Sequence, residues 1–206
     1  MFLNIFLKRL SPRVWSTKTE GVDVEQGSAE WFSKFLNREA LLVQYLPSFQ
    51  KRPTYVESEE GGELNHKVLI RYQDGSPVHL INENSVTGAN SLLPEDDTAK
   101  FELRNFRPNI VVGDAPAHQE EEWLYVRFNG IVCKNVRLCT RCAIPTIDQD
   151  KGVKVDSKSA VLRNFRSANS DYENKNYGEE PLFGNNLAPE SSGSVAVGMT
   201  VDASFK

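Results

Sequence analysis

Trp123-Leu-Tyr-Val-Arg-Phe128, Asn129-Gly130 and Ile131-Val-Cys-Lys-Asn-Val136 follow one another in the stretch that decides the fold of this chain. Apolar and polar residues alternate on both sides of Asn129-Gly130, as they do in strands with one buried face. Asn-Gly tolerates the two positive φ values of a type I′ turn, which joins antiparallel strands tightly. The stretch therefore predicts a β-hairpin, and residues just beyond its second strand are expected to stand on a rigid support.

Two cysteines follow that strand, in the segment Leu138-Cys-Thr-Arg-Cys142, with Arg137 and Arg141 beside them. Adjacent guanidinium groups favour the thiolate, the form that binds metals or attacks. Three interpretations are compatible with the spacing: half of a zinc site, a dithiol redox pair, or one soft ligand for a metal that a cofactor otherwise supplies. Packing of the cysteines as small apolar side chains is the simplest alternative.

The sequence around the two cysteines favours zinc and dithiol chemistry less than a single soft metal ligand. A structural zinc site takes four protein ligands, commonly from two Cys-x-x-Cys pairs or from one pair with two histidines. The other candidate ligands are scattered along the chain: Cys133, His66, His79 and His118. A redox dithiol is expected at the start of a helix, whereas Pro145 and its β-branched neighbours disfavour a helix here. Cys133 lies inside the predicted strand and is expected to be a packed or solvent-facing thiol.

The charge composition does not favour nucleic acid or an anionic membrane as a partner. The formal net charge is −4 and the isoelectric point is about 5.5. Such a balance gives no broad electrostatic attraction to nucleic acid or to an anionic membrane. Three cysteines, an odd number, do not make the disulfide framework of a small secreted domain, so a reducing compartment is indicated.

Residues 1–13 form an apolar segment that turns basic. No acidic residue precedes Glu20, a composition that also occurs in mitochondrial presequences, and an irregular start or a strand is the simpler alternative. The apolar run is much shorter than the roughly twenty residues that a membrane-spanning helix needs, so no transmembrane helix is predicted. Residues 14–206 are assigned to one domain.

The rest of the chain predicts an α+β fold that consists mainly of β structure. A helix is expected after Ser28, and its apolar stripe is predicted to be core: Trp31, Phe32, Phe35 and Leu36. A second helix is expected within Ser159–Ser170. The remaining expectations are a strand from Phe101 to Val112 interrupted at Pro108, a polar loop over Ser167–Asn176, and a final strand over Gly193–Val201.

Three motifs resemble those of a known family. Cys139-Thr-Arg-Cys142, followed by Pro-Thr-Ile-Asp-Gln-Asp-Lys-Gly-Val, resembles the signature of MOSC domains, the molybdenum cofactor sulfurase C-terminal family, and of their amidoxime-reducing members. Asn105-Phe-Arg-Pro-Asn109 and Tyr177-Gly-Glu-Glu-Pro-Leu-Phe-Gly184 are similar to two further motifs of that family, in the same order. The resemblance implies a curved, barrel-like sheet with a few peripheral helices.

The resemblance also implies a site. Cys142 corresponds to the molybdenum ligand and is therefore the expected metal-binding and catalytic residue. The expected cofactor-binding residues are Ser76, Arg107, Asn109, Thr140 and Arg141. This sequence departs from the family pattern at three positions, since Gly75 and Pro145 each replace a threonine and Thr140 replaces a serine.

The function that the resemblance implies is reduction of N-hydroxylated small molecules, such as amidoximes, by molybdenum bound to molybdopterin. Electrons would come from a haem cytochrome and its flavin reductase, in mitochondria or otherwise in the cytoplasm. A MOSC binding module that carries sulfur or cofactor without turnover is the alternative. Pyridoxal phosphate is associated with MOSC domains in general, but no lysine motif for it is found in this sequence.

Family members have an N-terminal β-rich segment, with further cofactor contacts, ahead of the part that is matched here from about Val14. Most of that segment is not in the sequence. We expect either an incomplete gene product or a shortened form with half of the cofactor site, which would bind cofactor weakly and be impaired or inactive.

Overall fold

The computed structural model describes residues 8–15, 17–24, 27–54 and 68–205. These residues form two compact units. The first contains the described residues up to Thr54 together with Leu69–Gly75, and the second contains Val68 and the residues from Ser76 onward. Residues 1–7 of the expected N-terminal segment and the zinc candidate His66 lie outside the described residues. The part of the chain that the structure describes contains no helix long and apolar enough to cross a membrane.

The first unit is built from short antiparallel strands and one helix. Its elements are β1 (Arg9–Leu10), β2 (Arg13–Val14), β3 (Thr17–Lys18), β4 (Gly21–Asp23), α1 (Ser28–Leu36), β5 (Val43–Gln44), β6 (Arg52–Pro53) and β7 (Leu69–Ile70). Strands β1, β4 and β5 form a three-stranded sheet, while β2 pairs with β3 and β6 pairs with β7. The helix expected after Ser28 is confirmed.

The apolar stripe of α1 is not core, which corrects the prediction from its spacing. Trp31 and Phe35 stack with their ring centroids 5.4 Å apart. They are nevertheless 61% and 73% exposed, and no residue of α1 is buried. Helical spacing predicts that one face is apolar, but it does not predict that another element covers that face.

The second unit holds a curved, half-barrel sheet with helices around it, as the family resemblance implied. Its elements are β8 (Val78–Asn82), α2 (Glu83–Ser91), α3 (Leu103–Phe106), β9 (Ile110–Val112), β10 (Trp123–Phe128), β11 (Ile131–Thr140), β12 (Ile147–Asp148), β13 (Val153–Lys154), α4 (Asp156–Phe165), α5 (Asp171–Tyr177), β14 (Leu182–Pro189) and β15 (Val201–Phe205). The six-stranded sheet has the order β15-β10-β11-β14-β8-β9. Only its β8 and β9 strands are paired in parallel.

The predicted hairpin is confirmed in β10 and β11. Phe128 pairs with Ile131, and Asn129 and Gly130 have φ values of 44° and 87°. Both values are positive, as a type I′ turn requires. Strand β11 is hydrogen-bonded to β10 on one side and to β14 on the other, and it continues to Thr140. The segment that carries the cysteines is therefore attached to a strand that is held on both sides.

Side chains of β8 reach two cores. Leu80 and Ile81 are both fully buried, and successive residues of a strand face opposite sides of the sheet. Ile81 packs with Phe106, with Phe183 and with residues of α2 and α4. Leu80 packs with Val126 and other side chains from β10 and β14. Strand β8 is therefore held on both faces, and the residues at its start are positioned by a packed interior.

A bulge shifts the register between β11 and β14. Leu138 pairs with Asn185 and Thr140 with Leu182, so a step of two residues in β11 matches a step of three in β14. Gly184 lies in the bulge with a φ of 79°. A positive φ costs glycine little and other residues more, which explains why glycine occupies this position.

Three segments differ from the sequence-based expectations. The expected loop over Ser167–Asn176 contains α5, which begins where the Ser170 hydroxyl accepts a hydrogen bond from the Glu173 N–H at 3.1 Å. The expected strand from Phe101 to Val112 contains α3, because Glu102 and Asn105 form a capping box at its start. The final strand begins only at Val201. The helix expected within Ser159–Ser170 is confirmed as α4.

Candidate functional site

The three cysteines differ in accessibility. Cys133 is buried in β11, Cys139 is half-buried and Cys142 is exposed. Burial raises the pKa of the Cys133 thiol to about 11, and the carboxylate of Glu190 acts in the same direction. Cys133 therefore remains a protonated, packed thiol at neutral pH. Cys142 presents the accessible sulfur, two residues beyond the end of β11.

Arg141 anchors the segment between the two site cysteines. Its backbone N–H donates to the Pro181 carbonyl at 2.8 Å, and its side chain is only 9% exposed. Nη1 lies 3.0 Å from Nε2 of His79 and 3.2 Å from Sγ of Cys139, while Nη2 donates to the Phe106 carbonyl at 3.0 Å. Both terminal nitrogens are thus engaged inside the chain. The buried Nε atom has no hydrogen-bond partner among the described residues.

His79 links three parts of the site. Its Nδ1 lies 3.2 Å from the Asn185 carbonyl oxygen, so this nitrogen carries the proton and Nε2 accepts from Arg141. Burial, and secondly the charge of Arg141, lower the pKa of His79 to about 4 against the opposing effect of the Asn185 hydrogen bond. The ring is therefore neutral at pH 7. The sequence marks His79 only as a zinc candidate, because its partner Arg141 is 62 residues away.

The loop between α3 and β9 carries two of the expected cofactor-binding residues. Asn109 is fastened to β8, since its Oδ1 accepts from the His79 N–H at 2.8 Å and its own N–H donates to the His79 carbonyl at 2.8 Å. Arg107 is exposed and has a left-handed backbone with φ 56°. Its guanidinium makes no hydrogen bond or ion pair with any residue that the structure describes. The loop thus presents an unengaged cation next to the start of β8.

Ser76 and Thr140 supply hydroxyl groups at two different strand ends, since Ser76 precedes β8 and Thr140 is the last residue of β11. The Ser76 hydroxyl donates to the Val78 carbonyl at 3.0 Å and lies 3.2 Å from Oδ1 of Asn186. Asn186 in turn pairs with His79 across β14 and β8. Thr140 ends β11 and directly precedes Arg141.

The expected site residues therefore come from three places in the second unit: the start of β8, the α3–β9 loop and the end of β11. Hydrogen bonds through His79 connect these places. Asn109 and Arg141 are linked through His79, and Ser76 lies beside Asn186, the partner of His79 in β14. Arg107, Thr140 and Cys142 are near this group only as sequence neighbours of its members, and the role of all six residues stays a prediction.

A pocket of about 440 Å³ lies beside Cys142. Its walls come from the segment after β11, from α4 and from the residues just before β14. Among the described residues, no three His, Cys, Asp or Glu side chains lie together as a set that could hold a metal ion. The chain itself thus provides one exposed thiol, several polar groups and an adjoining pocket.

Comparison with known proteins gives the family. Residues 68–202 match the MOSC domain model. The chain is 31% identical over 188 residues to mitochondrial amidoxime-reducing component 1 of Homo sapiens, which covers 90% of this chain and 53% of the relative. It is 32% identical over 189 residues to mitochondrial amidoxime reducing component 2 of Bos taurus, covering 90% of this chain and 54% of the relative. The chain thus spans about half the length of these relatives. Because the domain match extends over more than half of its residues, the chain belongs to the MOSC domain family.

Proposed function

We propose that this chain is a molybdenum-cofactor oxidoreductase that reduces N-hydroxylated small molecules, with Cys142 as the metal ligand. The observation that carries the proposal is the exposed Cys142 thiol at the end of a rigid strand of a MOSC domain. Two relatives that are about 31% identical have the words amidoxime-reducing in their names. Both observations support a site at which a metal accepts substrate from solvent.

The donor groups suit a molybdopterin cofactor. A single thiolate is a soft ligand, and it fits a metal whose other positions are filled by a dithiolene and by oxygen ligands. Arg107 has an unengaged guanidinium that can meet a phosphate with two parallel hydrogen bonds. Ser76 before β8, Thr140 at the end of β11 and Asn109 in the α3–β9 loop add hydroxyl and amide groups. When bound, the cofactor would supply the transfer of two electrons and an oxygen atom.

Arg141 and His79 have a positioning role in this proposal. The Arg141 side chain joins the end of β11 to the start of β8 through His79 and to α3 through the Phe106 carbonyl. Its Nη1 also donates to Cys139. These bonds hold the backbone just before Cys142, so the sulfur is presented from a fixed position. Because its backbone N–H, Nη1 and Nη2 are engaged and its Nε is buried, we propose Arg141 as a residue that positions Cys142 rather than as a direct cofactor contact.

The electron donors and the location also belong to the proposal. We expect a haem cytochrome and its flavin reductase to deliver electrons, and we expect the protein in mitochondria, as the names of the relatives indicate for those proteins. A small N-hydroxylated molecule would be the oxidant that accepts these electrons.

The test is a paired measurement on the chain purified from a host that makes molybdenum cofactor. Elemental analysis gives the molybdenum content, and reduction of benzamidoxime to benzamidine with a chemical reductant gives the activity. We expect molybdenum to copurify at well below one atom per chain, in line with the weak binding expected above, and the amidoxime to be reduced in proportion to it. Molybdenum without any reduction would contradict the oxidoreductase and favour a binding module that carries the cofactor.

A further inference from the structure

The pocket beside Cys142 is separate from the surface that carries the other expected cofactor-binding residues. Its volume, about 440 Å³, is within the range that small-molecule sites commonly have. Cys142 and Arg141 contribute to its wall, but Ser76, Arg107 and Thr140 do not. Cys142 therefore lines a pocket whose other wall residues, apart from Arg141, are not among the expected cofactor-binding residues.

The interior of the pocket is partly apolar. Leu162 of α4 is 2% exposed and forms part of the lining, together with Ala143, Ala160 and Pro181. An apolar floor of this kind favours a small organic molecule over an inorganic ion, because it stabilises a ligand through burial of carbon surface.

Three cations and one carboxylate contribute to the wall: Arg141, Lys154, Arg163 and Glu180. Lys154 lies 3.4 Å from Oδ1 of Asp156, but Asp156 is 94% exposed and such a pair contributes little. The Arg163 guanidinium makes no hydrogen bond or ion pair within the described part of the chain. Positive charge is in excess by two, counting three cations against one carboxylate, although the Arg141 guanidinium is already engaged with His79 and the Phe106 carbonyl. The pocket thus combines an apolar floor with basic groups that are free to meet an anion.

We propose that this pocket binds the substrate and selects N-hydroxylated molecules that carry a carboxylate. Lys154 and Arg163 are the specificity-determining residues, and the apolar floor accepts the carbon frame between the carboxylate and the N-hydroxylated group. The ligand would enter with that group toward Cys142. The role in reduction rests on the proposed function of Cys142, whereas binding of the anion does not.

The test compares two probes that differ only in the carboxylate, benzamidoxime and 4-carboxybenzamidoxime. Dissociation constants are measured by NMR titration of the ¹⁵N-labelled chain, which requires no metal. We expect the charged probe to bind at least about fivefold more tightly and to shift the amide signals of Ala143 and Ala160. Arg163→Gln and Lys154→Gln should each weaken binding of the charged probe about fivefold and leave the neutral probe unchanged.

Two further variants sharpen the test. Glu180→Gln should strengthen binding of the charged probe, because it removes the one carboxylate of the wall. Lys151→Gln should change nothing, since Lys151 pairs with Asp148 at 3.1 Å and does not line the pocket. Equal affinity for the two probes would overturn the proposal, as would loss of the preference in Arg107→Gln but not in Arg163→Gln. Tight binding of the charged probe without reduction of either probe by the molybdenum-loaded chain would uphold the anion site and overturn the reductase instead.

Discussion

Nη1 of Arg141 lies 3.0 Å from Nε2 of His79, although the two residues are 62 positions apart in the sequence. Nδ1 of His79 carries the proton that points to the Asn185 carbonyl. Nε2 can therefore accept the hydrogen bond from Arg141 only while the ring is neutral. The bond joins the start of β8 to the end of β11, and it therefore ties the expected cofactor-binding residues to the cysteine segment.

The first prediction concerns pH. The folded chain protonates His79 only near pH 4, whereas the unfolded chain does so near the ordinary pKa of 6.5. Between these values the unfolded state binds more protons, so the contribution of His79 to stability is complete above pH 6.5 and is lost as the pH falls toward 4. His79→Gln should show a shallower fall in melting temperature over this interval. Identical pH profiles for the two proteins would contradict the neutral, buried ring.

The second prediction concerns Arg141. Lysine keeps the charge but cannot reach His79, Cys139 and the Phe106 carbonyl together, so Arg141→Lys leaves acceptors unpaired in a buried place. We expect a loss of about 2 kcal/mol in the free energy of unfolding, measured by urea denaturation. Arg107→Lys is the control: Arg107 is exposed, so this substitution should not alter the urea midpoint.

The third prediction uses the same exposed arginine as a cofactor contact. Arg107→Lys keeps the charge and loses the planar pair of donors, so occupancy by the molybdenum cofactor should fall severalfold while the melting temperature of the cofactor-free chain stays the same. Occupancy is measured as pterin and molybdenum per chain. Unchanged occupancy together with unchanged melting would show that Arg107 is an ordinary surface residue.

The fourth prediction tests the bulge of β14. A Cβ atom at Gly184 would lie 2.5 Å from Cδ1 of Ile81 and 2.6 Å from the Leu80 carbonyl oxygen, and the φ of 79° is strained for alanine. Gly184→Ala should therefore lower the free energy of unfolding by roughly 3 kcal/mol or more. Gly130→Ala is the matched control, since its φ is 87° and its Cβ would meet nothing within 4 Å. Only the strain of roughly 1 kcal/mol should appear there, and equal losses in both variants would exclude the clash.

Local chemistry made part of the fold predictable. Asn129-Gly130 specifies a turn through its own backbone preferences, so the hairpin follows from neighbouring residues. The bulge at Gly184 does not, because it depends on how β11 and β14 align. The exposed stripe of α1 shows the same limit, since the spacing of Trp31 and Phe35 indicates an apolar face but not its surroundings.

The site was partly predictable for a related reason. Cys142 stands two residues beyond a predictable strand, so its position next to a rigid support could be inferred from the sequence, whereas its exposure could not. The contacts of Arg141 could not, because they join residues that only folding brings together. The position of Arg141 between the two cysteines predicts a positive charge beside them. The structure shows instead a buried guanidinium that is hydrogen-bonded to His79 and to the Phe106 carbonyl of α3.

The two cysteines of the Cys139-Thr-Arg-Cys142 segment give the most direct test of the metal ligand. Cys142 is exposed, while Cys139 is half-buried beside Arg141. Molybdenum content is measured in Cys142→Ala and Cys139→Ser, each purified from a cofactor-producing host beside the unmodified chain. We predict that Cys142→Ala loses the metal and amidoxime reduction, and that Cys139→Ser keeps most of the metal. Equal loss from both variants, or zinc in place of molybdenum in the unmodified chain, would contradict a single-cysteine molybdenum site.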